Sequence, residues 1–203
     1  MSSFAKIATL TITLAFVATG CLTRQIPEKH RFLIVAENEA PARVEHDGIV
    51  RIGRVRVASG FGRRNFVYQT GEKQLGDDFY NEFYVEPRVM LLSNVKGWLE
   101  ASGLFSSVIE IDSLVRASWL LETHVEALFV DVRGQGPAKA MLTIEFSLLD
   151  VSEAEISIAM SKKYRAGVEA SARTAPAFIE AWSEGLGEIL GRLESDLAEF
   201  VLP

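Results

Sequence analysis

The residues best suited to chemistry in this sequence are one histidine and two glutamates at alternate positions. Glu122, His124 and Glu126 lie within residues 119–132, a run typical of a β-strand. Because side chains at i and i±2 share one face of a strand, the three could approach a metal ion together. They supply two carboxylates and one imidazole, without a clear fourth ligand of the kind that zinc requires. We therefore predict a solvated strand face and no metal.

Motifs of catalysis and cofactor binding are not found in the sequence. It contains no G-x-S-x-G, H-E-x-x-H or G-x-x-x-x-G-K pattern. Gly60-Phe61-Gly62 begins like a dinucleotide-binding loop, but Asn65 stands where the third glycine belongs and no helix is predicted to follow. We therefore expect no catalytic residue and no cofactor, and we predict that the protein is not an enzyme.

A local excess of positive charge marks residues 48–71. This stretch holds no acidic residue and five arginines: Arg51, Arg54, Arg56, Arg63 and Arg64. The whole chain has a formal net charge of −6, which argues against nucleic-acid binding. Guanidinium groups bind phosphate and carboxylate well, so the arginines could contact anionic lipid or an acidic partner. The alternative is that they only blunt strand edges with charge.

A dense aromatic cluster is formed by Phe79, Tyr80, Phe83 and Tyr84. Part of it must lie in the core, where large apolar side chains are usually found. The rest could form an exposed surface for a partner or a lipid tail, since aromatic residues are enriched at interfaces. Burial of the whole cluster is the favoured interpretation.

The N-terminal residues predict export. Residues 1–20 contain Lys6, an uncharged apolar run over 7–17, and small residues just before Cys21. The run is shorter than the ~20 residues of a spanning helix and is typical of a signal peptide. Small residues ahead of a cysteine resemble the lipobox of bacterial lipoproteins. That resemblance implies cleavage before Cys21 and attachment of acyl chains such as palmitate to it.

The only cysteine of the chain is Cys21, so no intrachain disulfide can form. The alternative to lipidation is a buried free thiol after an ordinary signal peptide. Leu22 stands where an aspartate would resemble an inner-membrane retention signal, which favours the periplasmic face of the outer membrane. Residues 21–30 are predicted to form a lipidated tether, and residues 31–203 one domain of ordinary size.

The pattern of the mature chain predicts an α+β fold. Strands are predicted over residues 32–35, 49–57, 66–69, 74–79, 105–111, 119–132, 138–149 and 155–164. Helices are predicted from Pro87 and from Thr174. We expect an antiparallel or mixed sheet with both helices on one face, and the last three strands in an antiparallel meander. Gly53 is predicted to mark a β-bulge. Ile156, Ile158 and Met160 are predicted to face the core.

Several short segments follow one another in a fixed order. They are Phe66-Val67-Tyr68-Gln69, Asp78-Phe79-Tyr80-Asn81-Glu82-Phe83, Glu86-Pro87, Gly97-Trp98-Leu99, Leu104-Phe105, Leu121-Glu122 and residues 127–131. Their order and spacing resemble the ABC-type transport auxiliary lipoproteins, the family that includes the paraquat-inducible protein C type. The resemblance covers roughly residues 30–200. It departs at Phe83-Tyr84-Val85, where members of the family often have a tryptophan.

This resemblance implies a docking lipoprotein without chemistry of its own. Its implied partners are a periplasmic protein with a mammalian-cell-entry (MCE) domain, the associated ABC permease, the membrane and other copies of the chain. Such systems move phospholipid or other hydrophobic molecules across the envelope. The alternative is a lipoprotein that activates another envelope machine, such as a peptidoglycan synthase, because fold alone does not determine function.

Overall fold

The computed structural model describes residues 28–38 and 48–201. Its strands are β1 (His30–Phe32), β2 (Ile49–Val57), β3 (Asn65–Gly71), β4 (Gln74–Phe83), β5 (Ser107–Glu110), β6 (Trp119–Asp131), β7 (Lys139–Asp150) and β8 (Ser157–Glu169). Its helices are α1 (Pro87–Ser102) and α2 (Ala175–Val201). The predicted signal peptide and the lipid attachment at Cys21 lie outside the described residues.

The eight strands form one mixed sheet with β6 near its centre. One edge of β6 pairs antiparallel with β7, and β7 pairs antiparallel with β8, as the predicted meander requires. The other edge pairs parallel with β2 over its first half and with β3 at its end. β3 and β4 form an antiparallel hairpin, β1 lies parallel to β4, and β5 lies parallel to β2. β1 and β8 therefore lie at opposite edges of the sheet.

Both helices cover the same face of this sheet, which confirms the predicted α+β architecture. Every second residue of β7 points under them, since Ala140, Leu142, Ile144, Phe146 and Leu148 are all buried. α1 starts with Pro87 in its first turn and ends at Gly103, whose φ of 64° is the left-handed cap that glycine permits. Neither helix in the described part of the chain is long and apolar enough to cross a membrane.

The glycine predicted to mark a bulge does so. The pairing of β2 with β6 shifts its register between Ile52 and Val55, on either side of Gly53. A Cβ on Gly53 would lie 3.1 Å from the carbonyl oxygen of Leu121, tighter than ordinary contact. The bulge therefore depends on glycine because the two backbones approach each other closely.

A strand was predicted over residues 32–35, but residues 33–36 instead form an extended segment that crosses the helices and that we call the strap. β1 ends at Phe32, and the next residues bond to helix side chains rather than to a neighbouring strand. Asn94 of α1 donates to the carbonyl oxygen of Ile34 at 3.0 Å and accepts from the amide of Ala36 at 2.7 Å. The amide of Val35 donates to Ser183 of α2 at 3.2 Å. An extended apolar segment has the same sequence pattern whether it pairs with a strand or packs on a helix, so the sequence did not distinguish the two.

Two of the three inward positions predicted near the start of β8 are wrong. Met160 is buried, but Ile156 and Ile158 are exposed. The register of β7 with β8 shifts at this point, because Leu148 is paired with Met160 and Leu149 with Ile158. Ala159 is therefore an extra residue in β8 that has no partner in β7. One extra residue in a strand reverses the faces of those before it.

Candidate functional site

The most unusual local structure of the sheet is a four-residue bulge in β4. Asp77 is paired with Val67 of β3, and Glu82 with Asn65, so residues 78–81 stand opposite the single residue Phe66. The extra backbone cannot stay in the β3–β4 ladder, although Asn81 at its end remains paired with His30 of β1. We refer to residues 78–81 as the aromatic bulge, because Phe79 and Tyr80 occupy its tip.

The carboxylate of Asp78 organises the aromatic bulge from inside. Its Oδ1 accepts hydrogen bonds from the backbone amides of Tyr80 at 2.7 Å and Asn81 at 3.0 Å. Its Oδ2 accepts from the Tyr68 hydroxyl at 2.6 Å and from Nδ2 of Asn81 at 2.7 Å. Burial alone would raise the pKa of Asp78, but the bonds from Tyr68 and Asn81 outweigh it and lower the pKa. Burial, followed by the bond to Asp78, raises the pKa of Tyr68.

Three of the four clustered aromatic residues are exposed, contrary to the expectation that the cluster is buried. Phe79 is 62%, Tyr80 51% and Tyr84 59% exposed, while Phe83 is only 2% exposed. The rings of Phe79 and Tyr80 meet edge to face, with centroids 5.3 Å apart. Only Phe83 joins the core, where its ring lies 5.5 Å from that of Trp182. The exposed rings form an apolar surface of the kind that marks binding sites.

A cluster of three cations around one buried carboxylate lies beside the aromatic bulge. Glu82 is bonded by Lys29 at 3.1 Å, by Arg31 at 2.9 Å and by Arg64 at 2.8 Å. These bonds, led by that from Arg31, hold the pKa of Glu82 below its usual range. The cluster has an excess of two positive charges, and the ammonium group of Lys29 lies 5.5 Å from the centre of the Phe79 ring. Lys29 and His30, assigned to the tether from sequence, are thus packed against the domain.

An apolar groove of about 450 Å³ lies between the strap and α1. Its walls include four apolar side chains that remain substantially exposed: Leu33, Val35, Tyr84 and Val89. Gly97 of α1 also lines the groove, and a Cβ placed on it would meet no heavy atom within 4 Å. The groove and the aromatic bulge are neighbours, because Tyr84 follows β4 directly and its amide donates to the Phe32 carbonyl oxygen at 2.7 Å.

The five arginines singled out from the sequence take different partners. Arg51 donates to the backbone carbonyl oxygens of Ser113 and Val115, so it holds a loop. Arg64 belongs to the Glu82 cluster, and Arg63 lies 3.7 Å from Asp77. Within residues 28–38 and 48–201, Arg54 and Arg56 are exposed and have no ion-pair partner. Arg63 and Arg64 are therefore the members of the set that lie near the aromatic bulge.

The trio considered as a metal site is rearranged by the fold. His124 and Glu126 are joined by Glu145 of β7, with ligand atoms within 4.8 Å of one another, while Glu122 is not a member. Glu145 joins because it faces His124 directly across the β6–β7 pair. Lys163 of β8 already holds a Glu126 oxygen at 2.5 Å. An ammonium ion on one of three half-buried ligands disfavours binding of a metal cation.

A polar cleft of about 710 Å³ separates β8 from α2. Asp196 lines this cleft and accepts from the Tyr164 hydroxyl at 2.5 Å and from Lys162 at 2.7 Å. Burial alone would raise the pKa of Asp196, but the bonds from Lys162 and Tyr164 lower it. These bonds tie a strand to a helix, so the charged groups are already occupied by one another.

Comparison with known proteins shows similarity at the level of fold. No family model matches the sequence, and no curated protein matches it. The crystal structure of a Xanthomonas campestris protein assigned to family DUF330 superposes with a TM-score of 0.69 at 17% identity, covering 82% of this chain and 91% of that one. The structure of an uncharacterized protein superposes with a TM-score of 0.65 at 10% identity, covering 84% of this chain and 99% of that one. This chain therefore shares the fold of these two proteins along nearly their whole length.

The sequence contained partial signals for this site. Residues 78–83, with the sequence DFYNEF, are one of the segments that carry the family resemblance, but the sequence alone favoured burial of their aromatic side chains. A signal that could have revealed the bulge is Asp78 followed by Asn81, since aspartate side chains bond backbone amides two or three residues onward. The contribution of Lys29 and Arg31 has no local signal, because their partner Glu82 is more than fifty residues away.

Proposed function

We propose that this protein is a lipoprotein of the bacterial envelope, anchored through Cys21 at the periplasmic face of the outer membrane. In this proposal it is the docking component of an MCE-type ABC transport system that moves phospholipid or other hydrophobic molecules. It contacts the MCE-domain protein and, through it, the ABC permease, and it acts as a homo-oligomer without catalysing a reaction. The membership in the auxiliary lipoprotein family rests on the resemblance over residues 30–200.

The observation that carries a docking role is the apolar groove between the strap and α1. Leu33, Val35 and Tyr84 leave large apolar surfaces exposed along it. Exposure of this kind is costly in water and is usually covered by a partner in the working state. The groove walls are fixed in place by hydrogen bonds between the side chain of Asn94 and the backbone of Ile34 and Ala36, so the surface is formed before a partner arrives.

The test is photocrosslinking in living cells from a single residue of the groove. Val89 of α1 is replaced by a benzophenone amino acid, because its side chain is exposed at the groove wall. The matched control carries the same amino acid at Ser161, which is exposed on β8 at the opposite edge of the sheet. Captured proteins are identified by mass spectrometry.

We expect an MCE-domain protein to be captured from position 89 and not from position 161. Capture of a peptidoglycan synthase from position 89, with no transport protein, would replace the transport proposal by the activator alternative. Capture of the chain itself alone would assign the groove to the homo-oligomer and remove the support that it lends to partner docking.

A further inference from the structure

We propose that the aromatic bulge and the adjoining Glu82 cluster form a membrane-seating surface, which rests on a bilayer containing anionic phospholipid. Phe79 and Tyr80 would enter the headgroup region, and Lys29 and Arg31 would face lipid phosphates. The inference rests on the lipid anchoring at Cys21 that is part of the proposed function. It adds which surface of the domain meets the membrane and how the domain is oriented there.

The place where the chain enters the domain supports this orientation. The described structure begins at Glu28, and Lys29 lies against the Phe79 ring. Seven peptide steps separate Cys21 from Glu28, so even a fully extended segment spans at most about 25 Å. A lipid-anchored chain of this length keeps the aromatic bulge close to the bilayer, whereas β8 lies at the far edge of the sheet.

The chemistry of the surface matches a membrane interface. Tyrosine and other aromatic side chains are enriched where hydrocarbon meets headgroups, because their rings are apolar and their edges tolerate water. Lysine and arginine near them extend their charged ends to phosphate. Lys29, Arg31 and Arg64 outnumber the carboxylates of Glu82 and Asp78 by one positive charge on this surface, whereas the whole chain has a net charge of −6. Anionic lipid is therefore attracted to this part of the domain in particular.

The support beneath the rings indicates that their exposure is built into the fold. Four hydrogen bonds to Asp78 hold the backbone that presents Phe79 and Tyr80. Nδ2 of Asn65 adds a fifth bond, to the Asp78 carbonyl oxygen at 2.7 Å. A surface fixed in this way loses little conformational entropy when it meets the membrane.

The experiment uses the mature lipidated protein in vesicles of phosphatidylethanolamine and phosphatidylglycerol. Because the thiol of Cys21 is consumed by lipidation, a new cysteine can be labelled alone with an environment-sensitive fluorophore. Labels are placed by Tyr80→Cys and, as the matched control, by Ser161→Cys on β8. Phospholipids with a nitroxide near the headgroup are then added to the vesicles, and quenching of each label is measured.

We expect the label at position 80 to shift to shorter emission wavelengths and to be quenched about two-fold, as for a group seated in the headgroup boundary. The label at position 161 should emit as in water and stay unquenched. Equal behaviour at the two positions overturns the inference. A blue shift at position 80 without lipid quenching also overturns it and assigns the surface to contact between copies of the chain.

A second measurement separates seating from mere proximity. In the Tyr84→Cys labelled protein, the added changes Phe79→Ser and Tyr80→Ser should abolish lipid quenching at position 84, with folding checked by circular dichroism. Unchanged quenching at position 84 would show that the rings do not seat the domain. An intact mass without lipid on Cys21 would overturn the anchoring itself and the inference with it.

Discussion

The hydroxyl of Tyr68 donates a 2.6 Å hydrogen bond to Oδ2 of Asp78, and this bond joins β3 to the aromatic bulge of β4. Tyr68→Phe keeps the ring, which packs edge to face on Phe178, but removes the donor. We expect the free energy of unfolding to fall by about 1–2 kcal/mol, because a charge-assisted bond is lost. Urea denaturation measures the change.

The matched control for Tyr68→Phe is Tyr80→Phe. The Tyr80 hydroxyl donates to no residue in the described ranges 28–38 and 48–201, so its removal should leave stability unchanged. Amide hydrogen exchange should also quicken at Tyr80 and Asn81 in Tyr68→Phe only. Equal stability of the two variants would show that the Asp78 carboxylate holds the bulge without Tyr68.

Stability should depend on pH through Glu82. Its pKa in the folded protein lies below the unfolded value, so the unfolded state binds its proton first as pH falls. The stabilisation is therefore complete above the unfolded pKa of about 4.3 and is lost as pH falls through the lower folded pKa. We expect stability measured by urea denaturation to decline more steeply below pH 4 in the natural protein than in Glu82→Gln.

The control for the pH experiment is Glu169→Gln. Glu169 is exposed and, among the residues that the structure describes, forms an ion pair only with the exposed Lys139, at 3.2 Å; such surface pairs contribute little to stability. Its pH profile should follow that of the natural protein. If Glu82→Gln also followed it, the three cations around Glu82 would be stabilising the fold by packing rather than by charge.

A hydrogen bond between the helices should be measurable by itself. Nε1 of Trp98 in α1 donates to Oε2 of Glu194 in α2 at 2.8 Å, and Nδ2 of Asn38 donates to the same oxygen at 3.0 Å. Trp98→Phe should lower the free energy of unfolding by about 2–4 kcal/mol, from the lost bond and the smaller ring. Glu194→Met, made alone and together with Trp98→Phe, removes the acceptor and isolates the bond as a coupling energy of about 1–2 kcal/mol. A coupling near zero would mean that only packing joins the helices at Trp98.

The groove can be filled without removing any existing contact. Gly97→Leu places a side chain into open space on the groove wall and improves helix propensity by about 0.5–1 kcal/mol. We expect the variant to fold and to lose crosslinking from position 89 to the partner. Gly97→Ala is the control, because it makes nearly the same change in helix propensity with little volume. Full crosslinking in Gly97→Leu would show that the partner does not enter the groove.

Much of the fold could be predicted because its signals are local. The alternation in β7, the glycine at position 53 and the proline at position 87 each act through neighbouring backbone, so they are legible in sequence. The prediction failed where one added residue changed the faces of a strand, as at Ile158. It also failed for residues 32–35, which have strand-like composition but bond to Asn94 and Ser183 from two distant helices.

By itself the sequence determined the class of the fold, the meander of the last three strands and the positions of the helices. It also predicted that the chain is exported and lipidated, but the signal peptide and Cys21 lie outside the described residues. Only the tertiary structure decided that Phe79, Tyr80 and Tyr84 face solvent, and that Glu145 rather than Glu122 lies beside His124. The reason is that exposure and neighbourhood depend on register and bulges, which follow from pairing between strands distant in sequence. Hydrophobicity shows which side chains could be buried, whereas packing shows which of them the core has room to receive.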